Sequence, residues 1–177
     1  MILTQTENLW FPEKETSINH LTNFQKGEIF ENFVKNLFDQ KTGRFVVIDC
    51  TSEYAGHFGS LAARLTYPDL KFIFKSRGKW PHRFAVECKW RKCFNEGYIS
   101  WASEYQLNNY VQFQKSYNIT VFIAIGVGGH PADPEKLFVT PLDMISKKIH
   151  LTQNDLIPFD RNKKRRFFYD SKQNLLF

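Results

Sequence analysis

The stretch "RFAVECKWRK", Arg83–Lys92, places a glutamate and a lysine inside an apolar segment. The segment predicts a β-strand. Side chains two residues apart on a strand point to the same face, so Glu87 and Lys89 project together while Cys88 points away. Charges on a buried strand need a partner or a function. A solvated strand face is one interpretation, although simple alternation fits this segment poorly, and a metal-dependent active site is the other.

A second predicted strand supplies a further carboxylate. The segment "DLKFIFK" follows Pro68, and "SRGKWPH" predicts a turn before the Glu87 strand, so the two strands form a hairpin. The hairpin could bring Asp69 beside Glu87. Two adjacent carboxylates repel each other, and a bound Mg²⁺ with oxygen ligands removes that penalty. Lys89 would then orient or deprotonate a water, or neutralise charge on a phosphate. This design suits phosphodiester hydrolysis.

The remaining chain predicts helices packed on a central sheet. Apolar side chains recur at helical intervals over 23–39 and again over 100–117. Further strands are predicted at 44–50, 119–127 and 136–142, and the apolar run "ITVFIAIGV" is typical of a strand buried on both faces. Residues 51–67 and 128–135 are predicted loops. The fold class is therefore mixed α/β or α+β, in one domain spanning 1–177.

These residues resemble the signature of the PD-(D/E)XK nucleases, the restriction-endonuclease-like superfamily. Pro68-Asp69 and Glu87-Cys88-Lys89 match the short motif that names it. Gly27-x-x-x-Glu31 resembles a motif of archaeal Holliday-junction resolvases, and Gln106-x-x-x-Tyr110 resembles one of the exonuclease branch. The resemblance covers 23–125. It implies a restriction-endonuclease-like core over about 23–145, with a central mixed β-sheet flanked by helices.

The resemblance also implies a set of site residues. Asp69 and Glu87 would bind Mg²⁺, with Mn²⁺ as a substitute, together with Glu31 and the backbone carbonyl of Cys88. Lys89 would activate or position the attacking water. The supporting residues of the motif, which would hold Lys89 or contact DNA, are Gln106 and Tyr110; ordinary helix packing is their competing interpretation. Whether one or two metal ions act is open.

Two glutamates on the first helix compete for the carboxylate role. Glu31 borders the apolar stripe that faces the sheet, whereas the helical neighbours of Glu28 are Asn32 and Lys35, which indicate a solvent face. We therefore expect Glu31 to belong to the site and keep Glu28 as the alternative.

The net charge of +6 and pI of about 9.2 favour an anionic partner. Basic residues expected near the site, and so to contact DNA, are Lys75, Arg77 and Lys79 on the hairpin turn and Arg91 and Lys92 after the Glu87 strand. "RNKKRRFFYD", 161–170, is either a second nucleic-acid track with stacking aromatics or a solubilising tail. His57 lies in the predicted loop before Asp69, where it would hold substrate or be an ordinary loop histidine.

The chain contains three cysteines, Cys50, Cys88 and Cys93, which we expect to be reduced thiols. No secretory signal or membrane-spanning run is evident, so a cytoplasmic protein is expected. The leading hypothesis is a Mg²⁺-dependent endodeoxyribonuclease that dimerises, the dimer being an analogy. The alternatives are a non-catalytic nucleic-acid-binding or assembly module, an RNA-directed nuclease, and an interaction domain with a chance motif.

Overall fold

The computed structural model describes residues 18–48, 67–78 and 80–177. Cys50, His57 and Lys79, with most of the predicted loop 51–67, lie outside the described residues. The helices are α1 Asn23–Asn36, α2 Glu104–Tyr117, α3 Leu142–Ile145 and α4 Gln153–Leu156, with 3₁₀ turns at Ile18–His20 and Ile157–Phe159. The strands are β1 Phe45–Ile48, β2 Leu70–Phe74, β3 His82–Arg91, β4 Tyr98–Ser100, β5 Thr120–Val127, β6 Lys136–Pro141, β7 His150–Thr152, β8 Asp160–Arg161, β9 Tyr169–Asp170 and β10 Leu175–Leu176.

A six-stranded mixed sheet forms the centre of the molecule. Its order is β1-β2-β3-β5-β6-β8, with β3 and β5 parallel and every other neighbouring pair antiparallel. One core cluster joins α1 to one face of the sheet, and a second joins α2 to the other face. A mixed sheet flanked by helices confirms the predicted fold class.

The strand β5 lies at the centre of the sheet, as its apolar run predicts. Every residue from Val121 to Val127 is buried. Gly126 allows α1 to approach this strand closely, because a Cβ atom added there would lie 2.4 Å from Cε2 of Phe30. The absence of a side chain at Gly126 therefore fixes how near α1, and the glutamates it carries, can come to the sheet.

The start of α2 differs from the prediction. Residues from Ser100 onward were assigned to this helix, but the helix begins after the N-cap residue Ser103. Tyr98–Ser100 form β4, which pairs with β7 in a separate two-stranded sheet. Three residues give too little periodicity to predict such a strand, and its partner lies about fifty residues further along the chain, so tertiary pairing decides it.

The register of the β2–β3 hairpin positions the site. Leu70 lies opposite Val86, and Phe74 lies opposite His82. The strand β2 begins at Leu70, so Asp69 lies just before its first residue, beside Glu87 and Cys88. The turn that joins the strands lies at the opposite end of the hairpin. Within the described ranges, no helix has the length and apolar character needed to cross a membrane.

Candidate active site

A cleft opens where β2 begins, between the first half of α1 and the last part of β3. Its volume is about 690 Å³. The residues lining it are Asn23, Phe24, Lys26, Gly27, Glu28, Glu31, Asp69, Cys88, Lys89, Trp90, Arg91 and Lys92. The cleft thus brings together residues from three segments that are predicted from the sequence to form one site.

The side chain of Asp69, just before β2, accepts a hydrogen bond from the backbone of β3. Its Oδ2 accepts a 2.7 Å hydrogen bond from the backbone N–H of Cys88. The N–H and C=O of one strand residue point to the same side, so the Cys88 carbonyl is directed toward the same edge of β3 as Asp69. That carbonyl was implied as a metal ligand by the family resemblance.

Negative charge accumulates around Asp69. Burial and the nearby charge of Glu87 raise the pKa of Asp69 well above its ordinary value, Glu31 adds to the rise, and Lys89 and the Cys88 N–H oppose it. Burial and the same three carboxylates also raise the pKa of the Cys88 thiol. Glu31 therefore acts electrostatically on Asp69, in the manner expected of a member of the site.

Glu87 is held at its position by two neighbours. Its side chain is 2% exposed. The phenolic O–H of Tyr110 donates a 2.6 Å hydrogen bond to Oε1, and the Lys89 ammonium forms an ion pair with the same oxygen. The other oxygen, Oε2, is buried and has no hydrogen-bond partner within the described part of the chain. A buried carboxylate oxygen without a donor carries a large desolvation cost unless a cation is nearby.

Tyr110 joins the two halves of the predicted motif. Its hydroxyl accepts a 3.4 Å hydrogen bond from Lys89 Nζ while donating to Glu87. Burial and the Glu87 charge raise the pKa of Tyr110 far above its ordinary value, so the phenol stays protonated and remains a donor. Trp101, itself buried, stacks on its ring with centroids 6.4 Å apart.

Gln106 lies one helical turn before Tyr110, but its observed contacts are local. Its amide oxygen accepts from the Ser103 N–H at 3.1 Å, and its own N–H donates to Ser103 Oγ, forming a capping box. These two hydrogen bonds cap the exposed N-terminus of α2. The predicted support of Lys89 by Gln106 stays a prediction.

Both glutamates of α1 line the cleft, which corrects the expectation that Glu28 faces solvent only. The cleft opens before the first residue of β2, so one flank of α1 faces the cleft while the apolar stripe of α1 faces the sheet. Phe24, Gly27, Glu28 and Glu31 follow the i, i+3, i+4, i+7 pattern of one helical stripe. That spacing would have identified Glu28 and Phe24 from the sequence alone.

The carboxylates offer oxygen donors for a hard cation. Among the described residues, no three His, Cys, Asp or Glu side chains are already gathered around a common point. A cation here would be held by Asp69, Oε2 of Glu87 and the Cys88 carbonyl, with water completing its shell. Mg²⁺ commonly binds in this way, because it keeps several waters and takes one or two carboxylates. The donor set fits Mg²⁺ on this ground.

Two basic residues follow the motif on β3. Lys92 is exposed and lines the cleft. The Arg91 guanidinium donates to the backbone carbonyls of Ser100 at 2.7 Å, Trp90 at 2.9 Å and Trp101 at 3.1 Å. Burial lowers the pKa of Arg91. Arg91 thus fastens β4 to β3, and its contact with DNA stays a prediction.

Lys75 and Arg77 lie at the far end of the hairpin from Asp69. Leu70 and Phe74 are the first and last residues of β2, so Lys75 lies at the opposite end of this strand from Asp69. The expectation that these two residues border the site is therefore wrong. The reason is that the whole length of β2 separates the turn from Asp69, although both flank one short strand in sequence.

The basic segment 161–170 is partly committed to intramolecular contacts. Lys163 pairs with Asp133 at 2.6 Å, and Arg166 pairs with Asp39 at 2.7 Å. Of its three aromatics, Phe167 and Tyr169 are buried in the core and only Phe168 is exposed. The interpretation of this run as a row of stacking platforms is therefore wrong for two of the three rings.

Trp90 is partly buried and packs against the core cluster on the α1 side of the sheet. Its indole Nε1 also donates to the Gly128 carbonyl at 3.3 Å, which ties the end of β3 to the loop after β5.

The similarity of this chain to known proteins is found among solved structures. No family model matches the chain, and no curated protein matches it. The chain is similar to a structure of Hjc, a Holliday junction resolvase from the archaeal hyperthermophile Archaeoglobus fulgidus. The identity is 16%, the match covers 73% of this chain and 92% of that one, and the TM-score is 0.46.

Proposed function

We propose that this protein is a Mg²⁺-dependent deoxyribonuclease that hydrolyses phosphodiester bonds within DNA strands. The observation that carries the proposal is Glu87: a buried carboxylate held on one oxygen by Tyr110 and Lys89, with its other oxygen lacking a donor among the described residues. Asp69, Cys88 and Lys89 line the cleft, and Glu87 is buried next to them.

The residues at the cleft have different proposed roles in the reaction. Asp69 and Glu87 hold Mg²⁺ with the Cys88 carbonyl, and Glu31 adds a carboxylate at the cleft wall. When bound, Mg²⁺ lowers the pKa of water and neutralises charge on the scissile phosphate. Lys89 is placed to orient the attacking water or to stabilise negative charge on the phosphate. Tyr110 acts as a positioning residue, because it contacts both Glu87 and Lys89.

DNA is the proposed partner because the charge balance favours a polyanion. Lys26 and Lys92 line the cleft and are placed to contact a phosphate there, and Arg91 lies next to Lys92. Cutting within strands, a homodimer and a cytoplasmic location belong to the same proposal. Nicking of a closed plasmid tests cutting within strands, and size in solution tests the homodimer.

A plasmid-nicking assay tests the catalytic proposal. Supercoiled DNA is incubated with the wild-type protein with and without Mg²⁺, alongside Lys89→Ala and the matched control Lys115→Ala, an exposed lysine on α2. We expect Mg²⁺-dependent nicking that Lys89→Ala loses and Lys115→Ala retains. Equal nicking by the two variants, or nicking that persists in EDTA, would contradict the proposed site.

A non-catalytic nucleic-acid-binding module is the second candidate. The basic charge balance favours binding of a nucleic acid whether or not the cleft is catalytic. Gel-shift binding with no cleavage of DNA or RNA under Mg²⁺ or Mn²⁺ would select this module. Cleavage of RNA with DNA left intact would select an RNA-directed nuclease.

A further inference from the structure

A second basic surface lies at the turn end of the β2–β3 hairpin, away from the catalytic cleft. It is a groove of about 740 Å³, which we call the hairpin groove, and six of its lining residues matter here. They are Arg44, Lys75, Arg77, Phe168, Asp170 and Lys172. Four of the six are cations and one is an anion.

The positive charge of the hairpin groove is not paired with acids of the described residues. None of its four cations forms a salt bridge there, whereas Lys148, Lys163 and Arg166 elsewhere each pair with an aspartate. Asp170, the one acid among the described residues that line the groove, already accepts hydrogen bonds from the backbone N–H groups of Lys172 at 2.8 Å and Gln173 at 3.2 Å. Four clustered cations that remain available to an external anion characterise a polyanion-binding surface.

The groove is built on fixed backbone. The N–H of Lys75 donates to the Arg44 carbonyl at 2.7 Å, joining the hairpin to the segment before β1. Tyr169 is buried beside it, and the adjacent Phe168 exposes 57% of its surface. An exposed ring among cations suits contact with the sugar or base of a nucleic acid.

The groove and the cleft are spaced along one axis of the molecule. Lys75 follows Asp69 by six residues along β2, which spans about 20 Å at about 3.3 Å per residue. The helix α1 has 14 residues and covers about 20 Å over the same interval, with the cleft at its start and the groove beyond its end. In duplex DNA this distance corresponds to about six base pairs.

We infer that the hairpin groove binds the phosphodiester backbone of the same DNA molecule whose scissile phosphate enters the cleft, about six base pairs from the cut. This inference rests on the proposed function for the identity of the substrate. In this inference Lys75 and Arg77 contact DNA, as predicted from the sequence, but they do so far from the cleft that takes the scissile phosphate. The groove sets how far a substrate must extend to be held firmly.

Binding without cleavage tests the groove independently of catalysis. Affinity for a 20-bp duplex and for a single strand of equal length is measured in EDTA at several salt concentrations, so the outcome does not depend on the active site. The groove variant is Lys75→Ala with Arg77→Ala. The matched control removes two exposed lysines at the α2 and α3 side of the molecule, Lys115→Ala with Lys147→Ala.

We expect the groove variant to bind duplex roughly tenfold more weakly at 0.1 M salt, and its log–log salt slope to be shallower by about 1.8, since each lost phosphate contact removes about 0.9. A loss confined to single strands, with a slope change of about 1.4, would assign the groove to an unpaired strand of the substrate. The exchange variant Lys75→Arg with Arg77→Lys should retain binding, which separates lost charge from lost folding.

Equal affinity of the groove variant and the control variant would overturn the inference while leaving the proposed nuclease intact. Groove-dependent binding by a wild-type protein that never cleaves DNA would overturn the nuclease proposal and leave the groove standing. Absence of salt-dependent DNA binding by the wild type would overturn the inference that the hairpin groove binds DNA.

Discussion

The phenol of Tyr110 and the carboxylate of Glu87 lie 2.6 Å apart although 23 residues separate them in sequence. The contact crosses from α2 to β3 and is buried. Lys89 reaches the same two groups, so three side chains from two elements form one connected network. Such a network fixes the orientation of Glu87 before any cation arrives.

Replacing Tyr110 with Phe should weaken both stability and catalysis. The ring still packs on Trp101, but Glu87 loses a donor in a buried setting, which costs about 1 to 3 kcal/mol in the free energy of unfolding. We expect Mg²⁺-dependent cleavage to fall by about tenfold or more, as for a positioning group. Tyr105→Phe on the exposed face of the same helix is the control. Urea denaturation and cleavage rates measure the two effects, and equal behaviour of the two variants would contradict the network.

Asp69→Asn should stabilise the metal-free protein at neutral pH. The folded pKa of Asp69 is raised above its unfolded value of about 3.9, mainly by burial, so the folded state binds the proton more tightly. The penalty for ionising Asp69 is absent below the unfolded pKa and grows as pH rises through the folded pKa. Removing the charge should therefore raise the unfolding free energy by about 1 kcal/mol in EDTA. Added Mg²⁺ should stabilise the wild type and not the variant.

Asp155→Asn should change the free energy of unfolding at neutral pH in the opposite direction. Hydrogen bonds from Lys148 and Thr152 lower the pKa of Asp155 to about 2, so its ionised form stabilises the folded state above the unfolded pKa. That contribution is lost as pH falls toward about 2. We expect Asp155→Asn to be less stable than the wild type at neutral pH. If both aspartate variants shift stability in the same direction, the electrostatic account of Asp69 fails.

Gly126→Ala should force α1 away from the sheet. The added Cβ would lie 2.4 Å from Cε2 of Phe30, and overpacking of this kind costs about 1 to 3 kcal/mol. Phe30→Leu in the same chain should restore part of the loss. Gly27→Ala is the control, because its Cβ meets nothing within 4 Å and alanine favours a helix by about 1 kcal/mol. Thermal denaturation that ranks the two glycine variants in the reverse order would contradict the close approach of α1.

The two glutamates of α1 should differ in their effect on metal binding. The charge of Glu31 acts on Asp69 and Cys88, and both glutamates line the cleft. We expect Glu31→Gln to weaken Mn²⁺ affinity by about tenfold, equivalent to about 1.4 kcal/mol, and Glu28→Gln to weaken it less. Titration calorimetry with Mn²⁺ measures both. A larger loss for Glu28→Gln would assign the carboxylate role to the other helical position.

Local patterns in the sequence determined much of this protein. The apolar run of β5, the period of α1 and the two-residue spacing of Glu87 and Lys89 follow from backbone geometry that any strand or helix imposes. The hairpin of β2 and β3 was predictable for the same reason, and its register put Asp69 beside Glu87. The four-residue spacing of Gln106 and Tyr110 placed both residues on one face of a helix. The contact of Tyr110 with Lys89, and the capping role of Gln106, depend on the tertiary structure.

Long-range packing decided the rest. Glu28 lines the cleft because β2 does not extend before Leu70 and leaves the flank of α1 open there. Lys75 lies outside the cleft because the length of β2 separates it from Asp69. Arg91 is turned onto the carbonyls of β4, a three-residue strand that exists only through its pairing with β7. Sequence periodicity fixes the face on which a side chain lies. Which faces meet depends on contacts between distant segments, and these are settled by the burial of the whole core.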